Sequence, residues 1–469
     1  MFKKSIKVGL FTSIVLSLVL AACAPAAAPT EAPTEVFVPT EAPMATEAPT
    51  EAPAMPSVDP TGQTVIFWRV WGSGLSNDTM LEIVADFNAT NEWGITVEDF
   101  DQGNYAPLED AFNAAIQSGD LPDLVTGYSN AMSNWYAVNS VVDLAPYIND
   151  PYFGLSAEEQ AAFYPGSMDG GKAADGAQFA FPISQSANVI TYNTTWAKEL
   201  GFDSAPTNYA EFKEQACAAQ EANSNDDNPD NDGTGGLVLY ASASNVASFV
   251  FANGGTMLNA DKTGYNFSDQ TVVDVAEFLK DLQDSGCTFT TESYPNPEFA
   301  SRKALFTMTS SAGLIYQASA FDAEGAIKDD WTIIPFPGKD GGKAVDLFAQ
   351  YVAIANTNPE RMMATWVFLK YLTSPEVQAK WVAGASYYPT RSDTDAFLTD
   401  YATEHPLWVV GKDLVQYGMA EPAWPSWTSV RREVQNSFST LLAGDTADIP
   451  TVLADLDATA AQAIIDTQQ

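Results

Sequence analysis

The body of the chain alternates between short apolar runs and longer segments with helical periodicity. Residues 65–68, VIFW, form a continuous apolar run of the kind expected for a strand that is covered on both faces. Apolar side chains recur at helical spacing over residues 80–87 and 108–116, and the second helix is expected to stop at Gly119. Residues 123–126, DLVT, look like the next strand. This order predicts an α/β fold with a mainly parallel sheet.

Further helices are expected where a polar residue precedes an apolar periodic segment. Helices should begin at Thr207 and Ser268, and residues 430–441 have the spacing of a long helix near the end. Asn358 and Ser374 each precede a proline, which is favoured at the first position of a helix. The part of the chain that carries these elements is long enough for two domains.

The first 22 residues have the layout of a secretory signal peptide. Three lysines lie within residues 3–7, and residues 8–22, VGLFTSIVLSLVLAA, are apolar apart from two serines and a threonine. This apolar run is shorter than the roughly 20 residues that a membrane-spanning helix needs. An ordinary buried helix is the alternative. It is disfavoured because the segment that follows cannot form a core.

Cys23 ends the sequence LAAC, which resembles the bacterial lipobox. In signals of that kind the cysteine thiol receives a diacylglycerol, and cleavage leaves the cysteine as the first residue. The resemblance implies that Cys23 is a lipid attachment site rather than a core or disulfide cysteine. It also implies an exported protein that is anchored at the outer face of the cell membrane.

Residues 23–59 are expected to form a disordered tether behind the lipidated cysteine. Residues 24–59 are almost all Ala, Pro, Thr and Glu, and the tetrapeptide TEAP recurs in them. Such a composition cannot bury enough apolar surface to offset the loss of chain entropy on folding. The prolines favour an extended chain of about 3.1 Å per residue, which gives a reach of at most roughly 110 Å.

The charge of the body argues against nucleic acid as a partner. The chain has 21 basic and 60 acidic residues; removing the three signal lysines and the six acidic tether residues leaves 18 and 54, a net charge of −36. Phosphate contacts need a basic surface, so nucleic acid is disfavoured. The same acidity disfavours docking on anionic lipid, and it does not identify a ligand.

The sequence contains no recognisable catalytic motif, and no catalytic residue is predicted. His405 is the only histidine and is interpreted as a surface loop residue, so the chain has no HExxH zinc site. Neither a G-x-S-x-G elbow nor a phosphate-binding P-loop is present. A pair of carboxylates for glycoside hydrolysis stays open, because any two of so many acidic residues could converge.

Two cysteines remain beyond Cys23. Cys217 lies on the helix expected from Thr207, and Cys287 directly follows Gly286. Two spare cysteines in an exported protein favour a disulfide that joins two helical elements within one lobe. Two buried free thiols are the alternative.

An acidic stretch at residues 223–236, NSNDDNPDNDGTGG, has part of the pattern of a calcium loop. Asn228, Asp230 and Asp232 offer oxygen ligands at alternate positions, and a glycine follows for the turn. The twelfth position of the pattern is Leu239 rather than glutamate, so the match fails there. A solvated acidic loop is the favoured interpretation, and a structural Ca²⁺ is the alternative. No cofactor is expected to be required.

Several segments, taken in order, resemble the maltose-type extracellular solute-binding proteins of bacterial ABC importers. The most specific of them is FPISQSANVITYNTTWAKELGFDSAPTNYAEF at 181–212, which is similar to that family's first crossing between lobes. The other segments are SGDLPDLV (118–125), VVDLAPYI (141–148), PEFASRKALFTMTSSAG (297–313), WTIIPFPG (331–338), MMATWVFLKYLTSPEVQAKWV (362–382) and YYPTR (387–391).

The resemblance implies two α/β lobes of the periplasmic-binding-protein type, with a ligand cleft between them and several hinge crossings. It places the first lobe at residues 60–183 plus 335–372 and the second at 187–333 plus 376–469. It further implies that the lobes close on the ligand and that a transmembrane permease recognises the closed form. The protein is expected to act as a monomer.

Aromatic residues at loop positions are the first candidates for ligand contact. Sugars present C–H faces that stack on indole and phenol rings, whereas their hydroxyls need amide and carboxylate partners. For any single aromatic residue, core packing is the alternative, and it is favoured for Trp68 and Trp366. The candidates are Trp71, Tyr128, Ser129, Asn130, Gln185, Asn245, Gly254, Gly255, Ser311, Gln350, Tyr387, Tyr388, Trp424 and Trp427.

Three functions follow from the sequence. The favoured one is a lipid-anchored receptor that captures a polar solute, most of all a sugar or oligosaccharide, for an ABC importer. A secreted carbohydrate-active enzyme is the second hypothesis. A surface adhesion lipoprotein that binds no small solute is the third.

Overall fold

The computed structural model describes residues 58–323, 326–444 and 448–467. The predicted signal peptide, the lipid attachment at Cys23 and nearly all of the predicted tether lie outside these residues. No helix within the described ranges is long and apolar enough to cross a membrane.

The strands of the described residues are short except for two. The two long strands, β4 and β10, have 13 and 12 residues. The bounds are β1 Thr64–Arg69, β2 Thr96–Asp101, β3 Leu124–Gly127, β4 Phe181–Asn193, β5 Gly235–Val238, β6 Thr288–Phe289, β7 Ala304–Ser310, β8 Trp331–Ile334, β9 Phe336–Pro337, β10 Lys343–Ile354 and β11 Gly418–Met419.

Helices follow most of these strands along the chain. Short 3₁₀ helices cover Ser311–Gly313, Ser392–Phe397 and Val415–Tyr417. The α-helices are α1 Leu75–Thr90, α2 Tyr105–Ser118, α3 Ser129–Ala137, α4 Ala145–Ile148, α5 Ala157–Ala162, α6 Pro165–Asp169, α7 Thr194–Glu199, α8 Tyr209–Ser224, α9 Ala243–Ala252, α10 Gln270–Asp284, α11 Asn296–Ala300, α12 Leu314–Asp322, α13 Pro359–Leu372, α14 Pro375–Ala385, α15 Thr399–Glu404, α16 Pro406–Leu414, α17 Trp427–Ala443 and α18 Ile449–Asp466.

Polar caps set the starts of the longer helices. Asn358 precedes the proline of α13, and its side chain accepts a hydrogen bond from the backbone N–H of Arg361 at 2.9 Å. Asn208 caps α8 and Asp269 caps α10 in the same way. These two caps lie one residue after the starts predicted from the sequence. The local signal therefore identifies the helix and leaves its first residue open by one position.

One sheet runs through the molecule in the strand order β2-β1-β3-β10-β4-β7-β5-β6. β1 pairs in parallel with β2 and β3, and β5 pairs in parallel with β6 and β7. In the middle, β10 is antiparallel to both β3 and β4, and β4 is antiparallel to β7. The parallel ends agree with the alternation of strands and helices in the sequence. The antiparallel middle comes from the two long strands.

The long strands β4 and β10 connect the two halves of the sheet. The first half of β4, Phe181 to Ala187, pairs with β10, and its second half pairs with β7 and β8. β10 pairs with β9 at Lys343–Ala344 and with β3 at Tyr351–Ile354. Every residue of β4 is buried. The chain therefore crosses between the halves along two adjacent strands, of which β4 is fully buried and β10 nearly so.

Buried side chains define a first and a second lobe on either side of these crossings. The core of the first lobe is built mainly from residues 65–183 and 349–382. The core of the second lobe is built from residues 190–344 and 424–460. This is the two-lobed α/β architecture predicted from the sequence.

Two segments pack against the opposite lobe to the one predicted from the sequence. The sequence places α14 in the second lobe, but Trp381 of α14 lies in the first-lobe core, 4.8 Å from the ring of Trp71. Phe336 and Ala344, expected in the first lobe, are buried in the second-lobe core. Both segments are close to a crossing. Their apolar residues suit either core, so only the path of the chain decides which core they join.

A disulfide joins Cys217 of α8 to Cys287, which follows α10, with Cα atoms 4.7 Å apart. This is the pairing expected from the sequence. Both helices contribute to the second-lobe core, so the bond connects two elements of one lobe.

Candidate functional site

A cleft cavity of about 740 Å³ lies where the two lobes meet over the crossing strands. It is lined by residues of both lobes and by the middle of β10. The lining residues are Tyr105, Tyr128, Ser129, Asn130, Gly170, Ser186, Ser242, Ala243, Ser310, Ala312, Leu347, Phe348, Ala349, Gln350, Tyr351, Tyr387, Ala420, Glu421, Pro422, Trp427, Thr428, Arg431, Arg432 and Gln435.

The first-lobe wall of the cleft consists of Tyr105, Tyr128, Ser129 and Asn130. Tyr128 directly follows β3 and Tyr105 begins the helix after β2, so both stand at the carboxyl edge of parallel strands, where α/β clefts take ligands. Their rings stack with centroids 4.2 Å apart, and Tyr128 is 53 % exposed. Burial raises the pKa of both phenols. The wall therefore offers a flat aromatic surface with neutral hydroxyls.

The floor of the cleft is formed by the crossing strands. Gln350 of β10 accepts a hydrogen bond from Ser184 of β4, and Ser310 of β7 donates to Ser186 of β4 at 3.2 Å. Tyr387 reaches the same place from the segment after α14, and burial raises the pKa of its phenol. The floor is therefore polar and uncharged.

The second-lobe wall consists of α17 with the start of α9. Trp427 is the first residue of α17 and is only 3 % exposed, with its ring parallel to that of Tyr265. Arg431 and Gln435 follow at helical spacing on the same face, and Gln435 donates to the hydroxyl of Tyr240 at 2.9 Å. This wall presents an almost fully buried indole, an amide and guanidinium groups.

Glu421 connects the charged and polar groups of the second-lobe wall. Its Oε2 accepts from Trp427 Nε1 at 2.7 Å and from Arg431 Nε at 2.8 Å. Its Oε1 accepts from Ser244 Oγ at 2.7 Å, and Arg431 also donates to Ser244. The carboxylate therefore fixes the positions of both Trp427 and Arg431.

Beneath this network lies the buried carboxyl of Asp346 on β10. Neither of its oxygens accepts a hydrogen bond from a described donor, and the hydroxyl of the neighbouring Ser244 donates to Glu421. Burial, and next the proximity of Glu421, raises the pKa of Asp346 well above its usual range. A buried carboxyl beside a carboxylate is stable as the acid, which can itself donate a hydrogen bond.

One hydrogen bond joins the two walls across the cleft. Asn130 Nδ2 of the first-lobe wall donates to Thr428 Oγ1 of α17 at 2.5 Å. Both residues line the cavity and both are exposed or partly exposed. The lobes are thus in direct polar contact at the cleft.

The structure brings six of the fourteen sequence candidates to the cavity. These are Tyr128, Ser129, Asn130, Gln350, Tyr387 and Trp427. The others do not line it: Trp71, Gln185, Asn245, Gly254, Gly255, Ser311, Tyr388 and Trp424.

Of these others, Gln185 and Tyr388 are buried near the crossings, and Trp71 is partly buried in the first lobe. Trp71 packs against Trp381 in the first lobe and has a backbone φ of 91°, which is rare for a bulky residue. Gln185 is fully buried under the floor, where it donates to the backbone carbonyl of Pro389 at 2.7 Å. Tyr388 is also buried, in a cluster with Ala187 of β4 and Leu347 of β10.

The rest support the second lobe. Trp424 lies in its core, and Asn245 donates to the Tyr240 carbonyl at 2.7 Å. Ser311 accepts from the backbone N–H of Ala187 at 3.0 Å. The pair Gly254 and Gly255 follows the end of α9, whereas the cavity touches the start of that helix.

Sequence reasoning missed most of the second-lobe wall. The signal was available: Trp427, Arg431 and Gln435 recur at i, i+4 and i+8, and a helix places such residues on one face. An adjacent pair of arginines is also unusual in so acidic a chain. The missed lining residues with polar side chains are Tyr105, Ser186, Ser242, Ser310, Tyr351, Glu421, Thr428, Arg431, Arg432 and Gln435.

In the loop at residues 223–236, which resembles half a calcium site, a predicted ligand side chain is hydrogen-bonded to the backbone of the loop itself. Asn228 accepts from the Asp230 backbone N–H at 3.2 Å, and Asp232 is exposed. Among the described residues, no group of three His, Cys, Asp or Glu side chains could hold a metal ion. Calcium binding stays a prediction that calorimetric titration would test. His405 is exposed beside Tyr401 between α15 and α16.

The chain matches the model of a protein family and shares its fold with several solved structures. Residues 82–407 match the model of a family described as bacterial extracellular solute-binding protein. No curated protein matches the chain in sequence.

Solved structures of several solute-binding proteins share the fold. The sugar-binding protein MalE of Xanthomonas citri is 18 % identical with a TM-score of 0.74, covering 86 % of this chain and 98 % of that one. The cyclic α-maltosyl-1,6-maltose binding protein of Arthrobacter globiformis is 18 % identical with a TM-score of 0.72 and the same coverage. UgpB of Mycobacterium tuberculosis, in complex with glycerophosphocholine, is 18 % identical with a TM-score of 0.66, covering 86 % and 99 %.

Proposed function

Because the chain belongs to the bacterial extracellular solute-binding protein family, we propose that it captures a sugar or oligosaccharide in its cleft for an ABC importer. The observation that carries the proposal is the composition of the two walls. A stacked phenol pair faces the cavity from one lobe, and an indole with amide and hydroxyl groups faces it from the other. The similar folds of two maltose-type receptors support a carbohydrate.

Capture by closure of the lobes fits the connection between them. The lobes are joined through β4 and β10, and the Asn130–Thr428 hydrogen bond spans the cleft. A ligand that contacts both walls favours the conformation in which the walls are close. The permease would then select the closed, loaded receptor.

A carbohydrate-active enzyme is less well supported than a receptor. Glycoside hydrolysis generally needs two carboxyl groups that flank the scissile bond. Of the described residues, only Glu421 brings a carboxyl group to the cavity lining, and its oxygens are engaged by Ser244, Trp427 and Arg431. This arrangement favours binding over turnover.

A thermal-shift screen against mono- and oligosaccharides tests the proposal. A bound ligand raises apparent stability by RT ln(1 + [L]/Kd), which is about 2.7 kcal/mol at a hundredfold excess over Kd. We expect at least one sugar to raise the melting temperature without being consumed. A shift caused only by a different class of solute would overturn the carbohydrate assignment, and turnover of the sugar would favour the enzyme.

A pair of matched variants tests whether the sugar binds in the cleft. Tyr128→Ala removes an exposed ring from the first-lobe wall, whereas Tyr294→Ala removes a ring that is 84 % exposed and does not line the cavity. We expect the first variant to lose the sugar-induced shift and the second to keep it. Equal shifts in both variants would place the ligand elsewhere.

We also propose that Cys23 carries a lipid and that residues 24–59 tether the receptor beside its permease. The support is the LAAC sequence behind a signal-like segment and the exported nature of the family. Labelled fatty acid should be incorporated into the wild-type chain and not into Cys23→Ala. Equal labelling of both chains would contradict the anchor and leave the cleft proposal untouched.

A further inference from the structure

Basic residues outnumber acidic ones in the lining of the cleft, whereas acidic residues outnumber basic ones in the chain as a whole. In the described part of the chain, Glu421 is the one acidic residue in the cavity lining, whereas Arg431 and Arg432 are both basic. The whole chain has 60 acidic and 21 basic residues. A lining that followed this composition would be rich in carboxylates. The excess of guanidinium groups therefore points to the ligand.

The lining carboxylate has little capacity left for a ligand. Glu421 accepts from Ser244, Trp427 and Arg431, and its side chain is only 15 % exposed. Three of its roughly four acceptor positions are taken, so it offers a sugar hydroxyl at most one more. The described walls thus present hydroxyl and amide groups together with cationic donors, and a single anionic acceptor that is mostly engaged.

Arg432 is the cationic donor without a partner. It is exposed on α17, lines the cavity and makes no ion pair or side-chain hydrogen bond with another described residue. The planar guanidinium fork matches the two oxygens of a carboxylate or phosphate. Arg431 adds a second positive group next to it, held in place by Glu421.

The buried carboxyl beneath this wall does not cancel the positive charge. Burial raises the pKa of Asp346 well above its usual range, so that the group stays protonated where an ordinary aspartate is ionised. Acidic residues outside the cleft are screened over a distance of about 8 Å at physiological ionic strength. Glu421 and Arg431 compensate each other locally, which leaves Arg432 in excess.

We propose that the solute of this cleft is an acidic sugar, whose carboxylate or phosphate binds to Arg432 with help from Arg431. The inference rests on the proposed function, because it names the class of sugar that the same cleft takes. The aromatic first-lobe wall would contact the sugar ring, and the second-lobe wall would bind the anionic group.

Calorimetric titration with matched sugars tests the inference on the wild-type protein. The series compares glucose with glucuronate and glucose 6-phosphate, and galactobiose with digalacturonate. We expect the acidic member to bind about tenfold more tightly or better, since a hydrogen bond to a charged group adds at least that factor. The carboxylate and phosphate members distinguish the two sources of the anionic group. The preference should weaken as salt is raised.

Variants of Arg432 separate this contact from the overall charge. Arg432→Gln should reduce the acidic-to-neutral affinity ratio about tenfold, and Arg432→Lys should restore part of it. Lys198→Gln makes the same change of charge at an exposed position of α7 outside the cavity, and it should leave the ratio unchanged.

The outcomes distinguish the inference from the proposed function. Neutral sugars that bind as tightly as their acidic partners, or an unchanged ratio in Arg432→Gln, would overturn the inference while the sugar receptor stands. If neither neutral nor acidic sugars bind, the proposed function fails and the inference fails with it.

Discussion

The first-lobe wall of the cleft displays two stacked phenol rings, whereas the second-lobe wall displays a helix whose side chains are held by charge. Tyr105 and Tyr128 each follow a strand and stack on one another, and Tyr105 also packs against the first-lobe core. Trp427 and Arg431 share the single carboxylate of Glu421, below which lies the buried Asp346, whose pKa is raised by burial. One wall is a sum of separate contacts, and the other is a network in which each group depends on the next.

The two walls should therefore respond differently to substitution. Removing one member of a buried network leaves the others without partners, which costs more than the lost contact itself. Removing a group from a solvated surface costs little stability. Variants of the second-lobe wall should therefore affect folding and binding together, and those of the first-lobe wall should affect binding.

Glu421→Ala should have the largest effect. It leaves Trp427 Nε1 without its acceptor and Arg431 without its ion-pair partner, and we expect a loss of about 2 kcal/mol in the free energy of unfolding, measured by urea titration. Glu433→Ala, on the same helix and bonded only to Asn436, is the control and should cost less than about 0.5 kcal/mol. Equal losses in the two variants would mean that the hydrogen bonds of Glu421 do not add to the stability of the fold.

Asp346→Asn tests the buried acid through its pH dependence. The raised pKa means that the folded state keeps the proton when the unfolded chain has lost it. The stabilisation from this group is full at acidic pH and is lost as pH rises from the ordinary aspartate pKa toward the raised one. In that window, wild-type stability should fall relative to the variant by up to about 1.4 kcal/mol per pH unit. Stability curves that stay parallel would show that Asp346 is ionised in the fold.

The bond between the walls should have a smaller effect. Asn130→Ala and Thr428→Val each remove one side of the hydrogen bond that spans the cleft. In a double-mutant cycle on ligand affinity, we expect a coupling energy of about 1 kcal/mol. A coupling near zero would show that the two residues do not interact in the loaded protein.

Tyr128→Phe, in the first-lobe wall, should have the smallest effect. It keeps the stacked ring and removes one exposed hydroxyl, so stability should change by less than about 0.5 kcal/mol. Affinity for the sugar should fall about threefold, the value of one modest hydrogen bond. A large loss of stability would mean that the first-lobe wall is also a network.

The sequence predicts the first-lobe wall better than the second. Tyr128, Ser129 and Asn130 follow a recognisable strand, and the carboxyl ends of parallel strands meet at one edge of a sheet. That inference needs only local pattern. Arg431 and Arg432 lie inside a helix, so their place in the cleft depends on which face of α17 turns toward the first lobe.

Several residues that the sequence predicts in the cleft lie elsewhere, because tertiary packing determines their positions. Trp71 is a loop aromatic in the sequence, but α14, some 300 residues later, covers it with Trp381. The sequence predicts Gly254 and Gly255 in a cleft loop, but they follow the end of α9, whereas the cavity touches the start of that helix. Which end of a helix faces the cleft is set by the crossing strands rather than by the residues of the helix.

The double crossing has a consequence for the order in which the protein is made. The first-lobe core requires Trp366 and Trp381 in addition to residues near the start of the body, and the second-lobe core requires residues up to Leu456. Neither lobe can complete its core while only the first half of the chain has emerged, and contacts so distant in sequence form slowly. During synthesis, a chain with this connectivity therefore contains no completely folded lobe until most of its residues have emerged. That is the state in which a narrow secretion channel accepts a polypeptide.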